Sequence, residues 1–445
     1  MPYSQGSRLP AEMASKLGHL PVIESEWVKS LVQDFEQTQH SGESINLSDW
    51  RSFDSAGIRP LRNIWATDGS YVSIKSEGNP PKEMAFVKTA LLTVDQSKLN
   101  RIDKETPHPL LLQDVLKDSA VFHATVFPLK NVRSSLGNNY NTIRHIVRDS
   151  LRIDENGAFY ETLKWIAYRK WERSNETRSP AFHCPHCHLN IEVGLPSDAD
   201  EWDCPNSNCG EKIFLTDMIG FHLDMDEDSA PDSIASAYML VMEHLMIFTA
   251  IRLLWDQTDK NLVTDTLFIK DGPLTLRSQY SKLVPNIRSF LQQAKDLGRP
   301  IHIIGQEKSG AFFDHLASIV MQVPPHARGE QISYSALTHD YVRREVYRSP
   351  DLSNPYGKRT NWGEKLFIKI DPGTYMVINV PTGRYDDDPS FPSPAALIGL
   401  DRILATITGL ISYKFEGALF PIELANGIAS MSSYPSAKVL QRFVS

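Results

Sequence analysis

The cysteines of this 445-residue chain predict a metal site. All four fall between positions 184 and 209, in two close pairs separated by enough chain for a β-hairpin. Four thiolates at this spacing predict a tetrahedral structural zinc site, with four reduced cysteines as the alternative. Such a site has no open coordination position, so a catalytic metal must be bound elsewhere. The predicted zinc ligands are Cys184, Cys187, Cys204 and Cys209; three nearby histidines, expected outside the ligand set, are His183, His186 and His188.

Aspartates followed by glycine offer a second kind of chemistry. Asp68-Gly69 and Asp271-Gly272 each follow a short apolar run, which predicts a carboxylate at the end of a strand with little around it. Carboxylates are the hard oxygen ligands that hold Mg²⁺ or Mn²⁺ in phosphodiester hydrolysis. Asp-Gly is also a common turn dipeptide, so a purely structural turn is the alternative at each position.

Glu243 is an acid in an otherwise apolar segment that we predict to be a buried helix. An ionised carboxylate there is costly unless it is paired or bound to a metal. Two interpretations follow. Glu243 is either a third metal ligand or the partner in a salt bridge to Arg252 or to a neighbouring helix.

The elements that must position these residues alternate between helix and strand, which predicts an α/β fold. Residues 110–173 are predicted to be mostly helical, and residues 233–255 to form the buried helix. A strand or hairpin is predicted at residues 64–74, interrupted at 68–70. Strands are predicted at 83–94, 267–269 and 301–305, a hairpin at 366–380, and helices from residue 395 onward.

Composition excludes several classes of protein. With 41% hydrophobic and 22% charged residues, the chain is typical of folded proteins. A net charge of -8 argues against coating DNA by overall positive charge, so DNA binding requires a local basic groove or bound cations. Because neither a membrane span nor a signal peptide is recognisable, we expect a cytoplasmic protein without membrane association.

Short motifs in a fixed order together resemble the NurA nuclease family. Residues 65–70 (Trp-Ala-Thr-Asp-Gly-Ser) resemble its first aspartate motif, and residues 268–274 (Phe-Ile-Lys-Asp-Gly-Pro-Leu) resemble its second. Glu243 stands where the family has an intervening glutamate. Residues 420–426 resemble the closing motif, with Asn426 in the place of a histidine.

The resemblance implies a ribonuclease H-like α/β fold, a mixed sheet flanked by helices, with the zinc ribbon as a small inserted lobe. It implies that Asp68, Glu243 and Asp271 bind a catalytic Mn²⁺ or Mg²⁺, and that Asn426 completes the catalytic set. The expected domains are an N-terminal helical arm (1–60), the first part of the catalytic domain (61–178), the zinc ribbon (179–216) and the second catalytic part (217–445).

The resemblance also implies a partner and a biological setting. We expect a DNA exonuclease or endonuclease that works as a homodimer with a HerA-like hexameric ATPase, in DNA end processing or antiphage defence. The chain itself has no Gly-x-x-x-x-Gly-Lys-Ser/Thr phosphate-binding loop, so translocation would require that partner.

The closing motif departs from the family pattern at two positions. Asn426 replaces the histidine, and Ala418 stands where a tyrosine is frequent. An amide is a weaker, neutral ligand and cannot transfer a proton as imidazolium does. Glu416 or Glu423 would be the acid that compensates.

Basic residues interleaved with tyrosines form a candidate DNA path, although a solvated helix face and polar loop would give the same pattern. The predicted contacts are Arg343, Arg344, Lys358 and Arg359, with Tyr341, Tyr347 and Tyr356 as stacking groups.

Two other classes of function are consistent with parts of the sequence. In a non-catalytic DNA- or protein-binding module, the zinc ribbon would be the working surface and the acids would be turn residues. A Ser/His or Cys/His hydrolase is disfavoured because the cysteines are assigned to zinc and no Gly-x-Ser-x-Gly elbow is present.

Overall fold

The computed structural model divides into two compact units, residues 1–47 and 48–445. The first unit contains two helices, α1 (Leu20–Glu24) and α2 (Glu26–Gln37), in the predicted N-terminal arm. All other elements belong to the second unit. The residues described are 20–37, 49–95, 120–154, 156–172, 177–197, 199–225, 233–323, 331–349, 353, 355–412, 414, 417–431 and 436–444.

A nine-stranded mixed sheet forms the centre of the second unit, and four short strands, β5 to β8, form the cysteine-containing ribbon lobe. The strands in chain order are β1 (Arg51–Asp54), β2 (Asn63–Lys75), β3 (Glu83–Asp95), β4 (Ala120–Lys130), β5 (Phe182–His183), β6 (Asn190–Ile191), β7 (Glu201–Asp203), β8 (Lys212–Phe214), β9 (Thr266–Asp271), β10 (His302–Glu307), β11 (Gln331–Ala336), β12 (Gly363–Asp371) and β13 (Thr374–Pro381). The spatial order in the large sheet is β1-β11-β12-β13-β10-β9-β2-β3-β4. The central strands β2, β9 and β10 are parallel to one another, and the other neighbouring pairs are antiparallel.

Helices cover both faces of this sheet, which confirms the predicted α/β class with a mixed sheet flanked by helices. The helices of the second unit are α3 (Asn139–Ser150), α4 (Ala158–Ala167), α5 (Ser233–Trp255), α6 (Asn261–Thr264), α7 (Val284–Asp296), α8 (Ala311–Ile319), α9 (His339–Tyr341), α10 (Leu400–Ile407), α11 (Phe420–Ala429) and α12 (Ser436–Val444). One apolar core contains side chains of α3, α4, α5 and α7, and a second contains side chains of α10 and α11.

The strand sequences explain where the central strands lie. In β9 and β10, all residues but the last are buried, because each strand has covered faces on both sides. Alternate residues of β9 belong to different cores: Leu267 and Ile269 to the α10/α11 core, and Phe268 to the α5 core. This alternation decides on which face of the sheet each polar residue of the strand lies.

Helix α5 is the long apolar helix expected from the sequence. Among the described residues it is the one helix long and apolar enough to span a membrane, by length and composition only. Its most apolar window is 83% buried within the fold, which accounts for its hydropathy.

Two local predictions are wrong. Asp68 does not end a strand, because β2 continues through Asp68 and Gly69 to Lys75 and both residues pair with β3. Residues 120–130, predicted to be mainly helical, form the edge strand β4, since they pair with β3 along almost its whole length. In both cases strand pairing overrides the local sequence signal. The predicted domain bounds stay predictions. The second compact unit begins at residue 48, and β1 belongs to its sheet.

Candidate metal centres

The four cysteines lie together in the ribbon lobe. The four Sγ atoms all lie within 4.8 Å of one another, and those of Cys187 and Cys204 are 3.6 Å apart. Zn–S bonds of about 2.3 Å at tetrahedral angles place sulfur atoms about 3.8 Å apart. The arrangement is therefore compatible with a structural zinc site. His183 and His188 are exposed and do not belong to the cluster.

Two short hairpins hold the cysteines in place. Strands β5 and β6 carry the first pair, and β7 and β8 carry the second. Backbone hydrogen bonds close each turn: Cys184 N–H donates to Leu189, and Cys204 N–H donates to Glu211. The backbone N–H of Leu189 lowers the pKa of Cys187 to about 7, whereas burial raises the pKa of Cys204 to about 12. A bound cation would favour the thiolate form of each.

A buried ion pair anchors the lobe to the rest of the fold. The guanidinium of Arg144 on α3 contacts both oxygens of Asp217, at 2.9 and 2.6 Å, and both side chains are almost fully buried. The same guanidinium lies 2.8 Å from Nε2 of His186 and donates to the carbonyl of Lys212. The lobe is thus packed against α3, and its buried cysteines are part of the α5 core.

Asp68 and Asp271 occupy matching positions on neighbouring parallel strands. Each comes one residue after the last paired residues of β2 and β9, Thr67 and Lys270. Both follow core residues of the α10/α11 face at alternate positions, so both carboxylates lie on that face. Adjacent strands are about 4.8 Å apart, which brings the two acids close together at the carboxyl end of β9.

The two carboxylates repel each other. Burial, followed by the charges of Asp271 and Glu243, raises the pKa of Asp68 from 3.8 to about 7. The backbone N–H of Gly69 donates to Asp68 Oδ1 at 2.7 Å and acts in the opposite direction. The carboxyl end of β9, together with Asp68 beside it, therefore holds an excess of negative charge that a bound cation would neutralise.

Glu243 reaches this site from the opposite face of the sheet. A Cβ atom at Gly69 would lie 2.9 Å from Glu243 Oε1 and 2.5 Å from Met239 Cγ, so only glycine leaves room for α5 here. Burial raises the pKa of Glu243, and its Oε2 contacts Lys270 Nζ at 2.6 Å. Of the alternatives open from the sequence, Glu243 does form an ion pair, but its partner is Lys270 on a strand and not Arg252 or a neighbouring helix; Arg252 donates to Thr162 and Ala158.

Two lysines offset part of the negative charge of the site. Lys270, on β9, is 1% exposed and also donates to the backbone carbonyl of Asp271 at 2.5 Å. Lys308 follows β10 and contacts both carboxylate oxygens of Asp271, each at 2.9 Å. Neither lysine was identified from the sequence. A signal for Lys270 existed, since a lysine inside the buried run Leu-Phe-Ile-Lys-Asp requires an anionic partner.

The acids differ from the cysteines in how tightly they are grouped. Among the residues that the structure describes, the cysteine set is the only one with three or more ligand atoms mutually within 4.8 Å. Asp68 and Asp271 therefore offer two carboxylates on one face, and Glu243 faces Gly69 from the other. Mg²⁺ is commonly held by one or two carboxylates together with water and substrate phosphate, so this donor set fits such an ion.

Helix α11 lies beside the site, but its polar residues do not contact the aspartates. Its carboxyl end accepts hydrogen bonds from Ser70 Oγ and Lys88 Nζ, both at 2.6 Å. Asn426 is exposed, and no hydrogen bond joins it to Asp68 or Asp271 in the described structure. Glu423 accepts from Ser412 Oγ at 2.8 Å. Glu416 lies outside the described residues.

Comparison with protein-family models and with curated proteins gives no match for this chain.

Two of the four predicted DNA contacts line one surface groove of about 640 Å³. Arg343 and Arg344 line it, and Arg344 Nε contacts Asp340 at 2.8 Å. Lys358 Nζ contacts Asp387, another residue of the groove, at 2.5 Å. These acidic partners offset part of the positive charge, so the groove is less basic than the sequence indicated. Arg359 is exposed, and Tyr347 packs against Tyr356 with ring centroids 5.7 Å apart.

Proposed function

We propose that the protein is a divalent-metal-dependent DNA nuclease with a ribonuclease H-like catalytic core, as its resemblance to the NurA family implies. The observation that carries this proposal is the placement of Asp68 and Asp271 side by side at the ends of paired parallel segments, with Glu243 entering under Gly69. The antiparallel order β4-β3-β2, continued by the parallel strands β9 and β10, supports the same fold.

The residues that would hold the ion are Asp68 and Asp271, with Glu243 as the predicted third ligand. A bound Mn²⁺ or Mg²⁺ would supply the positive charge that polarises a phosphodiester and activates water. The chain's own contribution is to keep the two carboxylates close together on one face of the sheet, where the Gly69 N–H donates to Asp68 and Lys308 pairs with Asp271. Asn426 lies on α11, on the same side of the sheet, and its role stays a prediction.

The ribbon lobe favours a structural role over a binding one. Its two buried cysteines and the Arg144–Asp217 ion pair face the rest of the fold. The alternative, a non-catalytic module that binds DNA or protein through the ribbon, predicts binding without cleavage.

The decisive experiment is a cleavage assay on purified full-length protein with linear duplex and single-stranded DNA. We expect degradation with Mn²⁺ or Mg²⁺ and none in excess chelator. The control is Asp203→Asn, which removes an exposed ion pair on β7. If the protein binds DNA but does not cleave it with either Mn²⁺ or Mg²⁺, this would contradict the nuclease proposal and favour the binding module.

A second experiment tests the partner that the resemblance implies, a HerA-like hexameric ATPase acting on a homodimer of this chain. The net charge of -8 predicts weak binding to duplex at physiological salt. Delivery of DNA by the ATPase would replace intrinsic affinity with local concentration. We expect faster digestion when the ATPase and ATP are added. An isolated chain that degrades long duplex equally fast without them would contradict this dependence.

A further inference from the structure

Lys308 lies where a substrate phosphate would approach the acids. It comes two residues after Gln306, which pairs with Asp271 in the parallel β9–β10 register. Alternate residues share a face, so Lys308 lies on the same face as Asp68 and Asp271. Its Nζ is 2.9 Å from each oxygen of Asp271, and its side chain is 32% exposed. The ammonium is therefore at the solvent side of the carboxylate pair.

Lys270 shows what a permanently fixed lysine looks like in the same site. Its side chain is 1% exposed, and its ammonium contacts both Glu243 and the backbone carbonyl of Asp271. Removing it would leave a buried carboxylate without a counter-ion, which is strongly destabilising. Lys308 differs because its ion pair is partly solvated and its carboxylate partner is itself a predicted metal ligand.

The charges indicate what Lys308 would do when a cation arrives. Lys270 neutralises Glu243, which leaves the negative charges of Asp68 and Asp271 opposite the single positive charge of Lys308. A divalent ion would neutralise both aspartates by itself. The ammonium would then be a surplus positive charge on a flexible stem at the solvent side of the carboxylate pair, suited to bind an anion.

We propose that Lys308 is an exchangeable cation. Its ammonium pairs with the carboxylate of Asp271 until a divalent ion binds there. The ammonium then contacts a non-bridging oxygen of the scissile phosphodiester. This inference rests on the proposed nuclease function and identifies the residue that positions its phosphate. Lys308 competes with the metal ion for Asp271 and helps to position the substrate phosphate. Its removal should therefore raise the affinity for the metal ion and lower the rate of cleavage.

The test measures Mn²⁺ affinity and DNA cleavage separately in the full-length protein. Free Mn²⁺ is titrated by electron paramagnetic resonance at pH 8.5 for wild type, Lys308→Gln and Lys308→Arg. We expect Lys308→Gln to bind Mn²⁺ about tenfold more tightly, since a competing cation is gone. At saturating Mn²⁺ it should cleave about 100-fold more slowly, the usual loss for one donor to a transition-state charge. Lys308→Arg keeps the charge and should recover part of the rate.

The matched control is Lys212→Gln, which removes an exposed lysine from a similar ion pair, 2.7 Å from Asp203. It should change neither quantity. Weaker Mn²⁺ binding by Lys308→Gln would mean that Lys308 only supports the structure, and would overturn the exchange. Unchanged affinity and rate in Lys308→Gln, with an active wild type, would overturn the Lys308 role alone. A wild type that neither binds Mn²⁺ nor cleaves DNA would overturn the nuclease proposal together with it.

Discussion

The ribbon lobe and the acid site are built in opposite ways. The lobe draws its four sulfur atoms from one short stretch of chain, and two of the four cysteines are buried. The acid site brings together residues from β2, α5, β9 and the end of β10, which are distant in sequence. Its carboxylates repel one another, and two lysines partly balance them.

We therefore expect the two sites to affect the stability of the fold in opposite directions. Four thiolates around one ion form a closed structural centre, whose binding energy contributes to folding. A buried aspartate whose pKa is raised to about 7 costs folding energy when it is ionised. Such costs are typical of functional sites.

Loss of zinc should give the largest effect. Binding to structural sites of this kind is worth on the order of 10 kcal/mol at neutral pH. We expect Cys204→Ser to lose the roughly one zinc per chain and to lower the melting temperature by more than about 10 °C, because a 1 kcal/mol loss already shifts it by a few degrees. His183→Ala, an exposed residue beside the cluster, is the control and should retain zinc by elemental analysis. Zinc-free wild type with normal stability would contradict the structural role.

Removal of either aspartate should give the second-largest effect. Asp68→Ala and Asp271→Ala are each expected to reduce Mn²⁺-dependent cleavage at least about 10³-fold, comparable to the loss of a key transition-state donor. Zinc content and circular dichroism should stay unchanged, since neither side chain contacts the ribbon. Wild-type cleavage by one variant would remove that residue from the site. Unfolding of both variants would instead indicate that the aspartates are structural.

The pH dependence of stability gives the third effect. The raised pKa of Asp68 means that the native state binds more protons than the unfolded state, so stability falls as pH rises from about 4 through 7. The shift from 3.8 to about 7 corresponds to at most roughly 4 kcal/mol. Asp68→Asn removes this loss and keeps an oxygen for the Gly69 N–H.

Denaturant unfolding at pH 4 and pH 8 measures this difference. We expect Asp68→Asn to equal wild type near pH 4 and to be more stable at pH 8, although inactive. Saturating Mn²⁺ should then stabilise wild type at pH 8 more than it stabilises the variant. A variant that is no more stable than wild type at pH 8 would show that ionised Asp68 does not destabilise the native state.

The smallest expected effect comes from the close approach of α5 to β2. Gly69→Ala would force a methyl group to within 2.5 Å of Met239 and 2.9 Å of Glu243, an overpacking cost of about 1–3 kcal/mol. We expect lower stability and reduced cleavage, with zinc content unchanged. Gly427→Ala on α11, where no atom lies within 4 Å of the added carbon, is the control. Equal behaviour of the two variants would mean that Glu243 is not held against Gly69.

Much of the architecture could be predicted from local patterns. The buried helix at residues 233–255, the strands before Asp271 and at residues 302–307, and the hairpin at 363–381 were expected close to their observed bounds. Apolar periodicity carries this information because burial of each element follows its own sequence. The edge strand β4 was missed because its helical or strand character depends on pairing with β3.

The sequence by itself determined the groups that can bind metals: four cysteines at ligand spacing and acids placed among apolar residues. Only the tertiary structure decided their partners. The parallel register of β2 and β9 brings Asp68 level with Asp271, and the register of β9 and β10 brings Lys308 to Asp271. Lys270 meets Glu243 because α5 packs on the other face of the same strand. A strand pairing between distant segments leaves no local pattern in either segment, and a shift of one residue would turn each side chain to the other face.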